Sequence, residues 1–403
     1  MIELDKYKLG DIAEVFTGFP FKGDKYSDAH GTRVLRGENV SLGYLRWDTV
    51  KYWNENFNEF EKYSLKENDI VVGMDGSRVG RNRAQIKQTD LPLLLAQRVA
   101  RIRAKKNYSQ SLLSYIIKGE KFENYVNAVK TGTSIPHISA RQINSFEFES
   151  PVNINVQDNI ASILSSLDDK IELNLQMNQT LENMAQAIFE EWCCFKPQQM
   201  SSNWSLMKLS DLAEVTSSKR IFMDEYTDNG VPFYRGKEIT QLSKGEKIST
   251  ELFISDERYF DIKSKYGIPK IGDILITSVG TIGSIWIVDT ELPFYFKDGN
   301  VTWVRGYKTI VTGQYIYQWL KTKDAQEQIK SLTIGSTQQA LTISALKNLD
   351  IRIPDDSIVA KTIVELQAIY NKRQFNLNQI QTLTLIRDNL LPKLMTGKIE
   401  IKN

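Results

Sequence analysis

The residues of this sequence best suited to chemistry are arginines set among glycines. Ser77-Arg78-Val79-Gly80-Arg81-Asn82-Arg83 is a basic glycine turn, and Lys87 lies just beyond it. Glycine lets a backbone come close to a ligand, and arginine offers a planar fork of donors that matches a phosphate or a guanine edge. Lys22, Lys25, Arg33 and Arg36 cluster earlier in the chain. Lys219, Arg220, Arg235, Lys237 and Lys244 are their regional counterparts farther on, where the corresponding turn, Ser278-Val279-Gly280-Thr281, carries the hydroxyls of Ser278 and Thr281 in place of arginines. This is the chemistry of polyanion recognition, in which phosphate neutralisation supplies affinity and base edges supply discrimination. Arg98, Arg101 and Arg103 form a further cluster on an alternating strand, so only one face of it can meet a ligand. Trp47, Tyr52, Trp53, Tyr259, Phe260 and Tyr266 could stack on bases, but their types predict core positions first.

No recognisable motif for bond-breaking chemistry stands in the sequence. His30 and His137 are the only histidines and lie far apart in sequence, and the two cysteines, Cys193 and Cys194, are adjacent. No Cys-His spacing suits zinc, so no metal site is expected. Adjacent cysteines rarely form a structural bridge, which points to a reducing, cytoplasmic setting. The sequence has no G-x-x-x-x-G-K-[ST] or G-x-G-x-x-G loop for a nucleotide phosphate. It has no Pro-Pro pair, which excludes the Asp/Asn-Pro-Pro-aromatic loop of amino-methyltransferases. No catalytic residue is assigned, and the chain reads as a binding protein.

The elements that must position the basic turns come in two copies. Leu9-Gly10-Asp11-Ile12-Ala13-Glu14-Val15 returns 200 residues later as Leu209-Ser210-Asp211-Leu212-Ala213-Glu214-Val215. Asn68-Asp69-Ile70-Val71-Val72 returns as Gly272-Asp273-Ile274-Leu275-Ile276, and each copy runs into its glycine turn. Gly132-Thr133-Ser134 matches Gly335-Ser336-Thr337, and Pro151 matches Pro354. Anchors in one order with small drift indicate a tandem duplication. Within each copy, 69–72, 99–104 and 273–276 read as strands, and 112–117 and 313–330 as helical, giving an α+β fold with a mixed core.

A long helix follows each mixed domain. Ile160, Leu167, Asn174, Leu181 and Ile188 recur every seven residues, with Ile163 and Ile171 beside them. The matching stretch carries Ile363, Leu366, Tyr370, Leu377 and Ile380, and Pro392 limits it. Two apolar stripes in one chain predict an antiparallel coiled-coil pair, with the globular units at its ends about a pseudo-two-fold axis. The expected boundaries are a first domain at 1–152, a helix at 153–195, a linker at 196–205, a second domain at 206–355, and a helix with tail at 356–403. At 403 residues the chain exceeds what one core usually holds, in line with this division. The net charge of +2 places any polyanion site in local patches. No stretch reads as a signal peptide or a membrane span, so no membrane partner is expected.

The blocks that flank the helices are more specific. Ser166-Leu167-Asp168-Asp169-Lys170-Ile171-Glu172-Leu173-Asn174 and Ala185-Gln186-Ala187-Ile188-Phe189-Glu190-Glu191-Trp192 lie in the first helix, and the second ends in Leu390-Leu391-Pro392-Lys393-Leu394-Met395-Thr396-Gly397-Lys398-Ile399. Together with the two Gly/Asn-Asp-Ile blocks and their glycine turns, these resemble the specificity subunit of type I restriction–modification enzymes over essentially the whole chain. The resemblance implies two target-recognition domains, each reading half of a bipartite sequence in double-stranded DNA. It implies that the long helices set the spacing and dock two methyltransferase subunits, and that restriction/translocase subunits complete the complex. S-adenosylmethionine, ATP and Mg would then be bound by those partners, with no cofactor on this chain. Unequal basic turns predict an asymmetric target. The alternative is a scaffold or regulatory dimerisation subunit of the same fold that does not read DNA. Two departures stand out: Cys193-Cys194 follows the tryptophan, and Tyr370-Asn371-Lys372-Arg373-Gln374-Phe375 keeps little of 168–173.

Overall fold

The computed structural model describes residues 3–54, 57–132, 134–194, 204–245, 248, 250–333 and 340–399. The chain divides into two compact units, Met1–Glu172 with Gln381–Asn403, and Leu173–Ile380. Two long helices, Ile154–Cys193 and Asp356–Met395, each contribute to both. At about 1.5 Å per residue each helix spans roughly 60 Å.

The helix starts are set by short polar side chains that follow a proline. Asn153 accepts from the Asn155 N–H at 2.9 Å, and Asp355 from the Ser357 N–H at 3.0 Å. Such caps satisfy donors that no helical carbonyl can reach, each contributing about 1 kcal/mol. The first helix has no internal glycine or proline and runs through to Cys193. In the second, Pro392 lies inside the last turn and the helix continues to Met395. A proline there removes one terminal hydrogen bond, and the turn ends instead at Gly397, with φ at 66°.

In the first unit, an antiparallel four-stranded sheet runs in the order Ala13–Thr17, Val99–Ala104, Ile70–Gly73, Arg83–Gln85. Both faces are covered, which explains why 70–73 is an unbroken apolar run. Ile70, Val72, Ala100 and Ile102 face helices Gln110–Lys118 and Glu120–Val129. Val71, Ala84 and Val99 face a smaller sheet made from Tyr52–Trp53, Thr32–Leu35 and Leu93–Leu95. Ile160 and Leu164 of the first long helix and Leu394 of the second complete this core.

The second unit repeats the plan. Glu214–Ser217, Val301–Arg305, Ile274–Thr277 and Ile285–Ile287 form the same antiparallel order, backed by helices Gly313–Lys321 and Lys323–Ser331. The repeated Leu-x-Asp-Ile/Leu block does the same work in both copies: the carbonyls of Ile12 and Leu212 accept from the N–H of Lys105 and Lys308, each at 2.8 Å. The Asn/Gly-Asp block is also explained. Asn68 and Gly272 hold left-handed φ values of 68° and 91°, and Asp69 and Asp273 each accept the N–H three residues back. The linker expected at 196–205 and the anchor Gly335-Ser336-Thr337 lie outside the described residues, except for 204 and 205, and strand Ser205–Lys208 begins at the end of that linker.

The long helices pair antiparallel within each unit, along a line that includes the expected Ile160, Ile171, Asn174 and Leu366 but is wider than the seven-residue stripe. In the first unit Asp168 meets Arg387 at 2.6 Å. In the second, Asn174 meets Gln379, Asn178 meets Asn376, and Cys193 meets Thr362. The buried line of the first helix is Ile160, Leu164, Ile171, Asn174, Asn178, Glu182, Ala185, Phe189 and Cys193. Leu366 is buried in the second helix as predicted. Ile163, Leu167, Leu181, Ile363, Tyr370, Leu377 and Ile380 are half-buried and flank the contact line. The buried line steps mostly by three and four residues, as a helix face does at 3.6 residues per turn, so positions counted only in sevens fall partly on it and partly beside it. Neither cysteine forms a disulfide.

Candidate nucleic-acid interface

The first glycine turn is built by one inward arginine. Gly76 and Gly80 hold φ values of 97° and 83°, and the Arg78 carbonyl accepts from the N–H groups of Arg81 and Asn82, each at 3.0 Å. A β-carbon on Gly80 would come within 2.6 Å of Val126, so the turn packs directly on helix Glu120–Val129. Arg83 is 4% exposed and donates to the carbonyls of Gly80 and of Lys118, the latter at 2.7 Å. Glu123 lies 3.4 Å from Arg83 and 2.7 Å from Arg81. Burial pushes the Arg83 guanidinium below its usual range, and Glu123 opposes that. Arg83 was expected to meet DNA; the fold instead uses it as the internal strut of the turn. Arg81 is half tied to Glu123. Arg78 has no side-chain partner among the described residues, and Ser77 is exposed beside it.

The other predicted cations of this unit divide in the same way. Lys22 is exposed, without a partner among the described residues, at the start of the turn Gly23–Lys25, where Lys25 is also exposed. Arg33 donates to the Asp90 carbonyl and lies over the Trp47 ring. Arg36 is paired with Glu38 at 2.5 Å. Lys87 stands 3.9 Å from Glu172. Arg101 is buried against Glu14 and the Phe16 ring, and Arg103 bonds Asp69 at 2.6 and 2.7 Å, so both belong to the sheet.

A group absent from the predicted set lies beside the turn. Asp75 and His137 are paired in a β-bridge, with the His137 Nδ1 2.6 Å from the Asp75 Oδ1. The Arg98 Nη1 donates to the other oxygen of Asp75 at 2.5 Å. Arg98 holds a left-handed φ of 69°, an arrangement that costs a non-glycine residue about 1–3 kcal/mol. Ile135, on the same loop as His137, is exposed.

Met74 frames the first turn, its N–H meeting the Arg98 carbonyl and its carbonyl the N–H of Ile138, and the second unit frames its turn with the same backbone bonds. The N–H of Ser278 meets the Asn300 carbonyl at 2.8 Å, and the N–H of Leu341 meets the Ser278 carbonyl at 2.9 Å. Ser278 was expected to face DNA, but it is buried and shares a 2.7 Å bond with the Thr302 hydroxyl, because it takes the place of Met74 in the frame. Thr281 is exposed. Lys237 and Lys244 are exposed without side-chain partners among the described residues. Lys219 lies over the Tyr266 ring, Arg220 pairs with Asp298 at 2.8 Å, and Arg235 pairs with the buried Glu238 at 3.1 Å. Trp53 and Tyr259 are core, whereas Phe260 and Tyr266 are exposed.

Among the described residues, no three His, Cys, Asp or Glu side chains gather as metal ligands, and no helix is long and apolar enough to cross a membrane. The arrangement offers cation donors on exposed turns and can hold a polyanion.

Comparison with known proteins places both halves of the chain in one family. The family model described as the type I restriction modification DNA specificity domain matches residues 1–183 and again 201–387. The chain is 26% identical to the type I restriction enzyme MjaIX specificity subunit of Methanocaldococcus jannaschii, over 99% of this chain and 94% of that protein. It is 22% identical to the MjaVIII specificity subunit of the same organism, over 95% of this chain and 98% of that protein. A crystal structure of the type I restriction–modification S subunit from M. genitalium aligns with a TM-score of 0.54 at 18% identity, covering 100% of this chain and 97% of that one, a likeness of fold.

Proposed function

We propose, from the premise that this chain belongs to the type I restriction modification DNA specificity family, that it is the non-catalytic DNA-reading subunit of a restriction–modification complex. Each unit reads one half of a bipartite, asymmetric target. The observation that carries this reading is the pair of matching sheet-and-turn frames that carry different side chains: exposed Lys22 and half-buried Arg78 in one, exposed Lys237, Lys244 and Thr281 in the other. A scaffold without a DNA ligand gains nothing from cations that have no partner among the described residues in either unit.

The long helices are assigned the spacing and the docking of two methyltransferase subunits. Supporting this, each unit leaves apolar side chains exposed on its helix segments: Leu385 and Ile386 in the first, and Leu173, Met184 and Phe375 in the second. The partners supply S-adenosylmethionine chemistry on the target base, which must leave the helix stack to react, and any ATP- and Mg-dependent restriction. Mass measurement of the purified complex tests the two-copy assignment, and a single methyltransferase copy contradicts it.

The DNA-binding assignment is tested by salt titration of the complex on duplex DNA. Arg78→Ala is expected to reduce the slope of log affinity against log salt by about one, with the melting temperature unchanged. An unaltered slope removes the turn from the interface.

A further inference from the structure

We propose that Asp75, Arg98 and His137 form the base-reading cluster of the first unit; this rests on the DNA-reading function above. Three segments far apart in sequence converge here. Asp75 opens the glycine turn, Arg98 precedes strand Val99–Ala104, and His137 comes from the loop before helix Ala140–Asn144. The Asp75 carboxylate is 19% exposed and holds both partners, while Arg98 and His137 are 66% and 45% exposed. The acid is thus spent inside the cluster, and the two nitrogen-bearing heads face outward.

The hydrogen bonds fix which nitrogens are engaged and which are left to face outward. A carboxylate only accepts, so His137 gives its Nδ1–H to Asp75. The other ring nitrogen, Nε2, is left on the exposed side, where the neutral imidazole offers it as an acceptor for the exocyclic amino group of adenine or cytosine. Arg98 gives one N–H to Asp75 and keeps the rest of its fork for the O6 and N7 of guanine. An acceptor beside a donor fork is a reader of adjacent base pairs in the major groove.

The repeat supports this assignment. In the first unit the N–H of Met74 meets the Arg98 carbonyl and the N–H of Ile138 meets the Met74 carbonyl, each at 2.9 Å. In the second, Ser278 makes the same two bonds, with Asn300 and Leu341. The bridge Asp75–His137 becomes Val279–Ala340. The frame is kept, and the three side chains it displays are changed to Val279, Asn300 and Ala340. Side chains that differ on a preserved frame are where two domains reading different half-sites must differ.

The test is methylome mapping of a host that expresses the chain with its cognate methyltransferase. The triple variant D75V/R98N/H137A puts the second unit's side chains on the first unit's frame. The half-site read by the first unit is expected to become degenerate at one or two adjacent positions, with the other half-site unchanged. The purified complex should lose about ten- to a hundred-fold in affinity for the original site. Should the triple variant not fold, His137→Ala alone removes an exposed ring and is expected to relax one position. Variants that assemble, melt as wild type and methylate an unchanged motif with unchanged affinity overturn the proposal. Failure of the wild-type chain to direct any bipartite methylation overturns the DNA-reading function itself, a distinct result.

Discussion

Glu182→Ala is expected to destabilise the unit Leu173–Ile380 by roughly 3–5 kcal/mol, the usual penalty for removing one partner of a buried ion pair. Glu182 is 8% exposed at the centre of the helix pair. It accepts from the Gln318 amide at 3.2 Å, is paired with Lys321, and approaches the Arg373 Nη1 at 2.7 Å. That last contact is a charge approach without hydrogen-bond geometry, since neither atom has a hydrogen-bond partner. Burial presses the Arg373 guanidinium downward, and Glu182 leads the charges that more than restore it. Burial likewise drives the nearby Tyr317 and Tyr370 hydroxyls far above their ordinary range. Alanine at 182 would leave Arg373 facing these groups with no carboxylate in contact, and Lys321 without its partner. Replacing the pair together, E182L/R373L, is expected to recover the part of the loss that comes from leaving Arg373 buried without a carboxylate, because an apolar pair needs no desolvated charge there. Denaturant unfolding of the three proteins measures this. A loss below about 1 kcal/mol for Glu182→Ala would show that the pair is effectively solvated.

The second large effect is expected at Arg83. Arg83→Ala removes a guanidinium whose loss leaves the carbonyls of Gly80 and Lys118 without these donors under the glycine turn. Unsatisfied buried groups cost about 1–3 kcal/mol each, so a loss of roughly 3 kcal/mol follows. DNA affinity should fall with the stability of the turn, and lower temperature should restore part of it. Arg78→Ala should behave in the opposite way, altering the salt slope and not the melting. Equal melting temperatures for Arg83→Ala and wild type would contradict the strut assignment.

The contrast between Arg78 and Arg83 shows where sequence reading stops. Their spacing marked both as part of one basic turn, and the glycines marked the turn itself. Arg83 turns inward because the carbonyl of Lys118, 35 residues away, and that of Gly80 wait beneath the turn, with Glu123 beside them. The duplication, the sheet strands and the two long helices were legible because their signals are local and repeated. The polar centre of the helix pair was not, beyond Asn174. Asn178, Asn376, Glu182 and Arg373 are residue types that read as the solvated side of an amphipathic helix. The same limit hid Asp75 and His137. His137 stands in no motif, and its partner comes from a segment 62 residues earlier.

The chain's reading of DNA is tested most directly by expressing it with its cognate methyltransferase and mapping N6-methyladenine across the host genome. Two different half-sites at a fixed separation, methylated only when this chain is present, are the predicted result. An intact complex that adds no methylation, or one that methylates a symmetric site, would contradict two differently equipped reading domains.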